Sequence, residues 1–153
     1  MKKRYYIDTS VFGGYFDQEF ADTTQKLFSE MEKSETVILF SEMTENELSE
    51  APESVKDFVK DLPSKNIEFL EITPETIDLA DKYIEENVVG KTSREDCIHI
   101  ALATIFRADV LISWNFKHIV NLRRIQGYNS VNLRYGYPNI EIRSPKEMIE
   151  YED

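Results

Sequence analysis

Short apolar runs that alternate with segments of helical periodicity are the feature that most constrains how this chain folds. The runs TVILFS at 36–41 and VLIS at 110–113 are apolar and rich in β-branched residues, and a third run, IEFLEI, lies between them at 67–72. Continuous apolar runs are typical of strands that are covered on both faces. Strands that alternate with helices indicate βαβ units with right-handed crossovers. We therefore expect an α/β fold, a three-layer α/β/α sandwich around a central, mainly parallel sheet.

Capping residues, prolines and apolar spacing predict where the other elements begin and end. A first strand is expected at 4–7, before a loop with Gly13 and Gly14, and a last strand at 140–143. The predicted helices are one capped by Asp22 that runs to about Glu32; one capped by Ser41 that runs through Leu48; one from Pro52 to near Pro63; one from Thr73-Pro74 to near Gly90; one over 93–108, capped by Ser93; one within 114–126; and one that starts at Ser144-Pro145-Lys146-Glu147.

The length and composition predict one domain that spans residues 1–153. With 153 residues, of which 41% are hydrophobic, the chain is long enough to bury a sizeable core. The single cysteine, Cys97, cannot form an intramolecular disulfide, which fits a reducing compartment. No apolar run approaches the roughly 20 residues of a membrane span, and the start of the chain lacks the apolar core of a signal peptide. We expect a cytoplasmic protein that is not in a membrane.

The charge is unevenly distributed along the chain. The net charge of −11 argues against a nucleic-acid partner. Residues 97–146, however, carry 7 basic and 2 acidic residues. A basic surface on an acidic protein can still bind a polyanion, while a solvated surface that keeps the protein in solution explains the same pattern. Both interpretations stay open at this point.

Four polar residues fall where side chains of a parallel sheet converge. Asp8 ends the first strand, Glu47 lies in the helix after the second, Asp96 lies in the first turn of the helix over 93–108, and Asn115 follows VLIS. Functional groups collect beyond the carboxyl ends of parallel strands. Carboxylate and amide oxygens suit Mg²⁺ or Mn²⁺, whereas zinc prefers Cys and His. If the carboxylates converge, a divalent cation relieves their repulsion.

Each candidate also has a purely structural explanation. Asp8 can cap a turn, Glu47 can be a solvated acid among others, and Asp96 can complete a capping box with a residue three positions earlier. The remaining alternatives are a loop hydrogen bond for Asn115, a hydrogen-bonded helix residue for His99, a cap or packing role for His118, and a core position for Trp114.

Four motifs in this order resemble the PIN-domain proteins, the nuclease family that includes VapC-type toxins. They are YIDTSVF at 6–12, SEMTENEL at 41–48, REDCIHIALAT at 94–104 and DVLISWNFKHI at 109–119. They span most of the chain, and the last is similar to one branch of bacterial and archaeal PIN proteins. An acid after a strand is common, but the four motifs together are fairly specific.

The resemblance implies an endoribonuclease. Asp8, Glu47 and Asp96 match the family's acidic residues and would hold Mg²⁺ or Mn²⁺, with Glu45 as the alternative register for Glu47. The cation would activate a water for in-line attack on an RNA phosphodiester. Asn115 stands at a position that is often Asp in the family. It removes one negative charge from the site, which weakens binding of a second cation.

The resemblance also implies substrate contacts and partners. Ser10 would help to hold a water or phosphate, and Trp114 and His118 would contact substrate or support the loop. Basic residues beyond Asn115 would anchor the RNA backbone, namely Lys117, Arg123 and Arg124. A small antitoxin protein and a homodimer are expected on the same basis. Two alternatives stay open: a catalytically weak or inactive PIN-like module that binds RNA or protein, and another Mg²⁺-dependent hydrolase of the α/β phosphatase type.

Overall fold

The sheet is five-stranded and entirely parallel in the computed structural model, which describes residues 2–87 and 94–150. The strand order is β3-β2-β1-β4-β5, so that the first strand of the chain lies at the centre. The strands are β1 (Arg4–Ile7), β2 (Val37–Ser41), β3 (Ile67–Leu70), β4 (Val110–Ile112) and β5 (Ile142–Arg143). The predicted α/β class with a central parallel sheet is confirmed.

Helices cover both faces of this sheet. They are α1 (Thr9–Gly14), α2 (Ala21–Lys33), α3 (Glu42–Leu48), α4 (Glu53–Lys60), α5 (Pro74–Glu85), α6 (Arg94–Ile105), α7 (Leu122–Arg134) and α8 (Pro145–Glu150), with a 3₁₀ turn at Ser64–Asn66. Within the described part of the chain, none of these helices is long and apolar enough to cross a membrane.

Strand alternation divides the core into two layers. Tyr6 pairs with Leu39 on one side and with Leu111 on the other, and all three pack with α5, α6 and α7. The next residue along β1, Ile7, packs on the opposite face with α1, α2 and α4. Neighbouring residues of a strand point to opposite faces, and here both faces are buried. This arrangement confirms the three-layer sandwich.

Several predicted caps are confirmed. The Ser41 hydroxyl accepts a hydrogen bond from the backbone N–H of Thr44, and Thr73 forms a reciprocal capping box with Thr76. The Ser144 hydroxyl accepts from the Glu147 N–H at 3.2 Å, while the Glu147 carboxylate accepts from the Ser144 N–H at 2.9 Å. These local signals depend on residues three positions apart, which is why they can be read from sequence.

Other predicted boundaries are shifted or wrong. Asp22 does not cap α2, because Phe20 holds the cap position without a side-chain hydrogen bond and Asp22 lies in the first turn. Pro52 is the cap of α4, one residue before its predicted role, and α4 ends at Lys60. Strands β2 to β5 are each shorter than predicted, and α7 continues beyond 126 to Arg134. The predicted cap Ser93 and helix end near Gly90 lie outside the described residues.

The predicted loop with Gly13 and Gly14 is wrong, because this segment is the short helix α1. Asp8 caps it and accepts from the Ser10 N–H at 3.4 Å. A Cβ atom at Gly14 would lie 2.7 Å from Trp114 Nε1. Glycine at 14 therefore allows close approach to Trp114 and does not mark a turn.

Candidate metal centre

Asp8 lies at the carboxyl end of the central strand, where β1 passes into α1. Asp8 is buried, with 5% of the residue exposed. One carboxylate oxygen, Oδ2, accepts hydrogen bonds from Ser10 Oγ at 2.6 Å and Ser113 Oγ at 2.8 Å. A buried carboxylate is costly unless such donors replace water. The two serines therefore hold Asp8 in one orientation, with the second oxygen, Oδ1, facing α6.

Glu47 and His99 approach Asp8 from two different helices. His99 Nε2, on α6, lies 2.5 Å from Glu47 Oε1 and 3.5 Å from Asp8 Oδ1. Thr9 donates its hydroxyl hydrogen to the same Glu47 oxygen at 2.7 Å. Three possible ligand atoms, one each from Asp8, Glu47 and His99, lie within 4.8 Å of one another. Glu45, the alternative register, is exposed, so the structure brings Glu47 to this site.

Electrostatics couple His99 to the two acids. Burial lowers the pKa of His99, but the hydrogen bond with Glu47 and the charges of Asp8, Glu47 and Asp96 outweigh burial and raise it above its ordinary value. Burial raises the pKa of Glu47, but its hydrogen bonds with His99 and Thr9 and the His99 charge lower it overall. Each of the two groups therefore shifts the pKa of the other toward its charged form.

A chain of hydroxyl groups supports the other side of the His99 ring. The Tyr6 hydroxyl lies 2.5 Å from His99 Nδ1 and 2.7 Å from Ser41 Oγ, which in turn lies 3.1 Å from Thr44 Oγ1. Burial raises the pKa of Tyr6 far above its usual range, so the phenol stays protonated. Hydroxyls both donate and accept, so this chain accommodates the imidazole with or without a proton on Nδ1.

Asp96 and Asn115 form a second contact beside this group. Asp96 lies three residues before His99 on α6 and is half-buried. Asn115 Nδ2 lies 3.5 Å from Asp96 Oδ2, and Asn115 Oδ1 accepts from the His118 N–H at 3.0 Å. Among the residues that the structure describes, Asp96 is not one of the three whose ligand atoms lie within 4.8 Å. It faces Asn115 instead.

Ser10 and Trp114 are packed into the framework of the site. Ser10 Oγ donates to Asp8 and accepts from the Trp114 N–H at 2.9 Å. Trp114 is 9% exposed, and its ring stacks on Phe20 at 4.2 Å between centroids and donates from Nε1 to Thr24 Oγ1 at 2.9 Å. This burial favours a supporting role for Trp114 over a direct substrate contact.

The basic candidates follow Asn115 along the chain. Lys117 and Arg123 are exposed, and Arg124 is half-buried in the first turn of α7. His118 is half-buried, and its Nδ1 atom has no hydrogen-bond partner among the described residues. Its carbonyl oxygen accepts from the Tyr128 hydroxyl at 2.8 Å, which fixes the loop before α7.

His99 and Ser113 belong to the site, although neither is predicted there from the sequence. Residues three apart on a helix lie on the same face, so the spacing of Asp96 and His99 could have indicated a shared direction. Ser113 directly follows β4, the neighbour of β1, at the same edge as Asp8. That signal depends on knowing that β4 pairs with β1.

The donor set fits a divalent cation. It offers the carboxylates of Asp8 and Glu47, and the His99 imidazole beside them could supply a nitrogen ligand. Carboxylates suit Mg²⁺ and Mn²⁺, and imidazole adds affinity for transition ions.

Comparison of the fold with solved structures shows which class of protein shares it. No protein-family model matches the sequence, and no curated protein matches it either. Solved structures do match over most of the chain, and they are VapC, VapBC and FitAB structures. The chain thus has a PIN-domain, VapC-like fold.

Three of these structures illustrate the likeness. VapBC2 from Rickettsia felis, bound to a promoter DNA fragment, is 15% identical with a TM-score of 0.61 and covers 92% of this chain and 98% of its own. DNA-bound VapBC from Salmonella typhimurium is 16% identical with a TM-score of 0.60 and covers 95% and 99%. VapC20 from Mycobacterium tuberculosis, a Sarcin-Ricin loop cleaving toxin, is 11% identical with a TM-score of 0.58 and covers 73% and 90%. At these identities the likeness is one of fold.

Proposed function

We propose that this protein is a metal-dependent endoribonuclease that hydrolyses RNA phosphodiester bonds. The observation that carries the proposal is the convergence of Asp8, Glu47 and His99 at the carboxyl end of the central strand. In a parallel sheet this edge is where ligands bind. The shared fold with VapC20, described as a Sarcin-Ricin loop cleaving toxin, supports RNA as the substrate class.

The proposed cation is Mg²⁺ or Mn²⁺, held by the converging carboxylates of Asp8 and Glu47, with Asp96 on α6 as the proposed third acid, directly or through a water. When bound, such a cation lowers the pKa of water and offsets the charge that develops on a phosphodiester. Ser10 and Ser113 keep the Asp8 carboxylate in one orientation by donating to Oδ2.

His99 has a separate proposed role beside these acids. Its Nε2 atom holds Glu47, while the Tyr6 hydroxyl fixes the far side of the ring. A carboxylate restrained in this way needs little rearrangement when the site becomes occupied. Preorganisation of this kind favours charge stabilisation in a buried site.

The substrate is proposed to lie across the loop after β4 and the start of α7. Lys117, Arg123 and Arg124 would contact phosphates, which supplies affinity without choice of sequence. Ser10 would help to hold a water or phosphate at the site, and Trp114 and His118 would support the loop after β4.

The proposed biological role is that of the toxin in a toxin–antitoxin pair in the cytoplasm. The matching structures include VapBC and FitAB complexes, some of them bound to DNA. A small antitoxin protein is therefore the proposed partner, together with a second copy of this chain in a homodimer.

The test is cleavage of mixed cellular RNA by the purified protein with Mg²⁺, with Mn²⁺ and with EDTA, beside Asp8→Asn. We expect cleavage that requires the cation and is lost in Asp8→Asn. Asp61→Asn is the matched control, because Asp61 is exposed and precedes β3, at the amino ends of the strands and away from the site. It should cleave like the unmodified protein.

Two other outcomes would change the assignment. Bound cation and an intact fold without RNA cleavage would favour the inactive binding module, a function that the amide at Asn115 supports. Cleavage of small phosphate esters but not of RNA would favour a phosphatase-type hydrolase.

A further inference from the structure

The orientation of the Asn115 side chain can be assigned from its hydrogen bonds. One amide atom lies 3.0 Å from the backbone N–H of His118. A backbone N–H only donates, so this atom must be the acceptor, Oδ1. The other atom is then the donor Nδ2, and it lies 3.5 Å from Asp96 Oδ2.

Asn115 is also fixed through its backbone. Its N–H donates to Ser113 Oγ at 2.9 Å, and its carbonyl oxygen accepts from the N–H groups of Ile119 and Val120 at 3.1 and 2.8 Å. If the amide rotated to offer Oδ1 to a cation beside Asp96, the His118 N–H would face an NH₂ group. The His118 N–H is partly buried, so the loss of its acceptor opposes that rotation.

We infer that Asn115 is a positioning residue that donates to Asp96, and that the site therefore takes one divalent cation and not two. This inference rests on the proposed function. A donor at this position stabilises the ionised Asp96 carboxylate without adding charge. An acid there would instead place a second carboxylate against Asp96, and relief of that repulsion would favour another cation.

The substitution Asn115→Asp tests this directly. It keeps an oxygen to accept from the His118 N–H, and it replaces the donor by an oxygen that faces Asp96 Oδ2. The expected consequence is a second cation site in the variant. Without metal, the two acids repel, and the melting temperature should fall below that of the unmodified protein.

The measurement is the number of Mn²⁺ ions bound by the full chain, from the electron paramagnetic resonance signal of free Mn²⁺ during titration. We expect one ion for the unmodified protein and two for Asn115→Asp. Asn121→Asp is the matched control, because it adds the same charge nearby and keeps the cap of α7, where Asn121 Oδ1 accepts from the Arg124 N–H at 3.2 Å. It should bind one ion. Melting curves in EDTA and in Mn²⁺ should show a larger gain for Asn115→Asp than for either other protein.

A second variant keeps the test decisive if Asn115→Asp does not fold. Asn115→Ser retains a hydroxyl to accept from the His118 N–H but removes the donor to Asp96. Residues that orient ligands typically change metal affinity by about 10–100-fold, so we expect one ion with at least about tenfold weaker binding. A purely structural role in the loop would leave the affinity unchanged and would overturn the inference.

The outcomes separate this inference from the proposed function. Two ions in the unmodified protein would overturn the inference and leave a metal-dependent nuclease in place. One ion in a folded Asn115→Asp variant would also overturn it. If the unmodified protein bound no Mn²⁺ and cleaved no RNA, the proposed function would fail, and the inference with it.

Discussion

Gly14 determines how closely α1 approaches the loop that carries Asn115. A Cβ atom there would lie 2.7 Å from Trp114 Nε1 and 3.1 Å from Thr24 Oγ1. The indole cannot easily move away, because it stacks on Phe20 and donates to Thr24. Overpacking of such a contact typically costs about 1–3 kcal/mol.

We therefore expect Gly14→Ala to lower the free energy of unfolding by roughly 1–3 kcal/mol. Gly13→Ala is the matched control in the same helix, since a Cβ atom at Gly13 meets nothing within 4 Å. Alanine there should stabilise the protein by about 0.5–1 kcal/mol through helix propensity. Urea unfolding of both variants measures the difference, and equal effects at the two positions would contradict the packing argument.

Single residues of the site were predictable to different degrees. Asp8 follows a buried strand directly, so its place at the sheet edge could be read from the sequence. The His99 ring lies on a helix that is almost wholly buried, and its neighbours along the chain are apolar. A histidine in such a setting indicates a core position, and its partners Glu47 and Tyr6 are distant in sequence. Only the tertiary fold brings them together.

At the scale of elements, the beginning of α7 is the segment proposed to contact RNA phosphates. Arg123 is exposed one residue after the start of the helix, next to the loop that holds Asn115 and Lys117. Each phosphate contact contributes roughly −0.7 to the slope of log binding constant against log salt for single strands.

We expect Arg123→Ala to weaken RNA binding and to make that slope shallower by about 0.7. The measurement is the binding constant of Asp8→Asn protein, which should not cleave, for a single-stranded RNA at several salt concentrations. Lys65→Ala serves as the control, because Lys65 is exposed and lies just before β3, at the amino ends of the strands and away from the site. An identical slope in both variants would remove Arg123 from the proposed interface.

Element boundaries show which local signals suffice. Thr73 and Thr76 cap each other within four residues, so α5 could be placed from its sequence. For α2, the sequence predicts Asp22 as the cap, yet Asp22 lies in the first helical turn and pairs with Lys26 at 3.4 Å. The actual cap, Phe20, makes no side-chain hydrogen bond and stacks on Trp114. That boundary is set by packing, which the local pattern does not contain.

At the scale of the whole molecule, the alternation of strands and helices predicted parallel pairing but not strand order. The order β3-β2-β1-β4-β5 places β4 beside β1, although about a hundred residues separate them in the chain. This pairing brings Ser113 and Asn115 to the edge where Asp8 emerges. The sequence could therefore place Asp8 and Glu47 at this end of the sheet, but it could not show that His99, and not Asp96, lies with them.

The stability of the metal-free protein should depend on pH through the His99–Glu47 pair. The pKa of Glu47 is lowered from 4.5 on folding, so its contribution is present above pH 4.5 and is lost as the pH falls through the folded value. The pKa of His99 is raised from 6.5, so its contribution is present below pH 6.5 and is lost as the pH rises through the folded value. Stability from this pair is therefore greatest between about pH 4.5 and 6.5.

We expect the free energy of unfolding, measured by urea titration in EDTA, to fall as the pH rises above 6.5. His99→Gln should remove this decline, because glutamine does not titrate. The chain has two histidines, so His118→Gln is the matched control and should keep the decline. Addition of Mn²⁺ should reduce the decline in the unmodified protein, since a bound cation replaces the imidazolium charge beside Glu47. If His99→Gln lost stability above pH 6.5 as steeply as His118→Gln, another group would be responsible for the dependence.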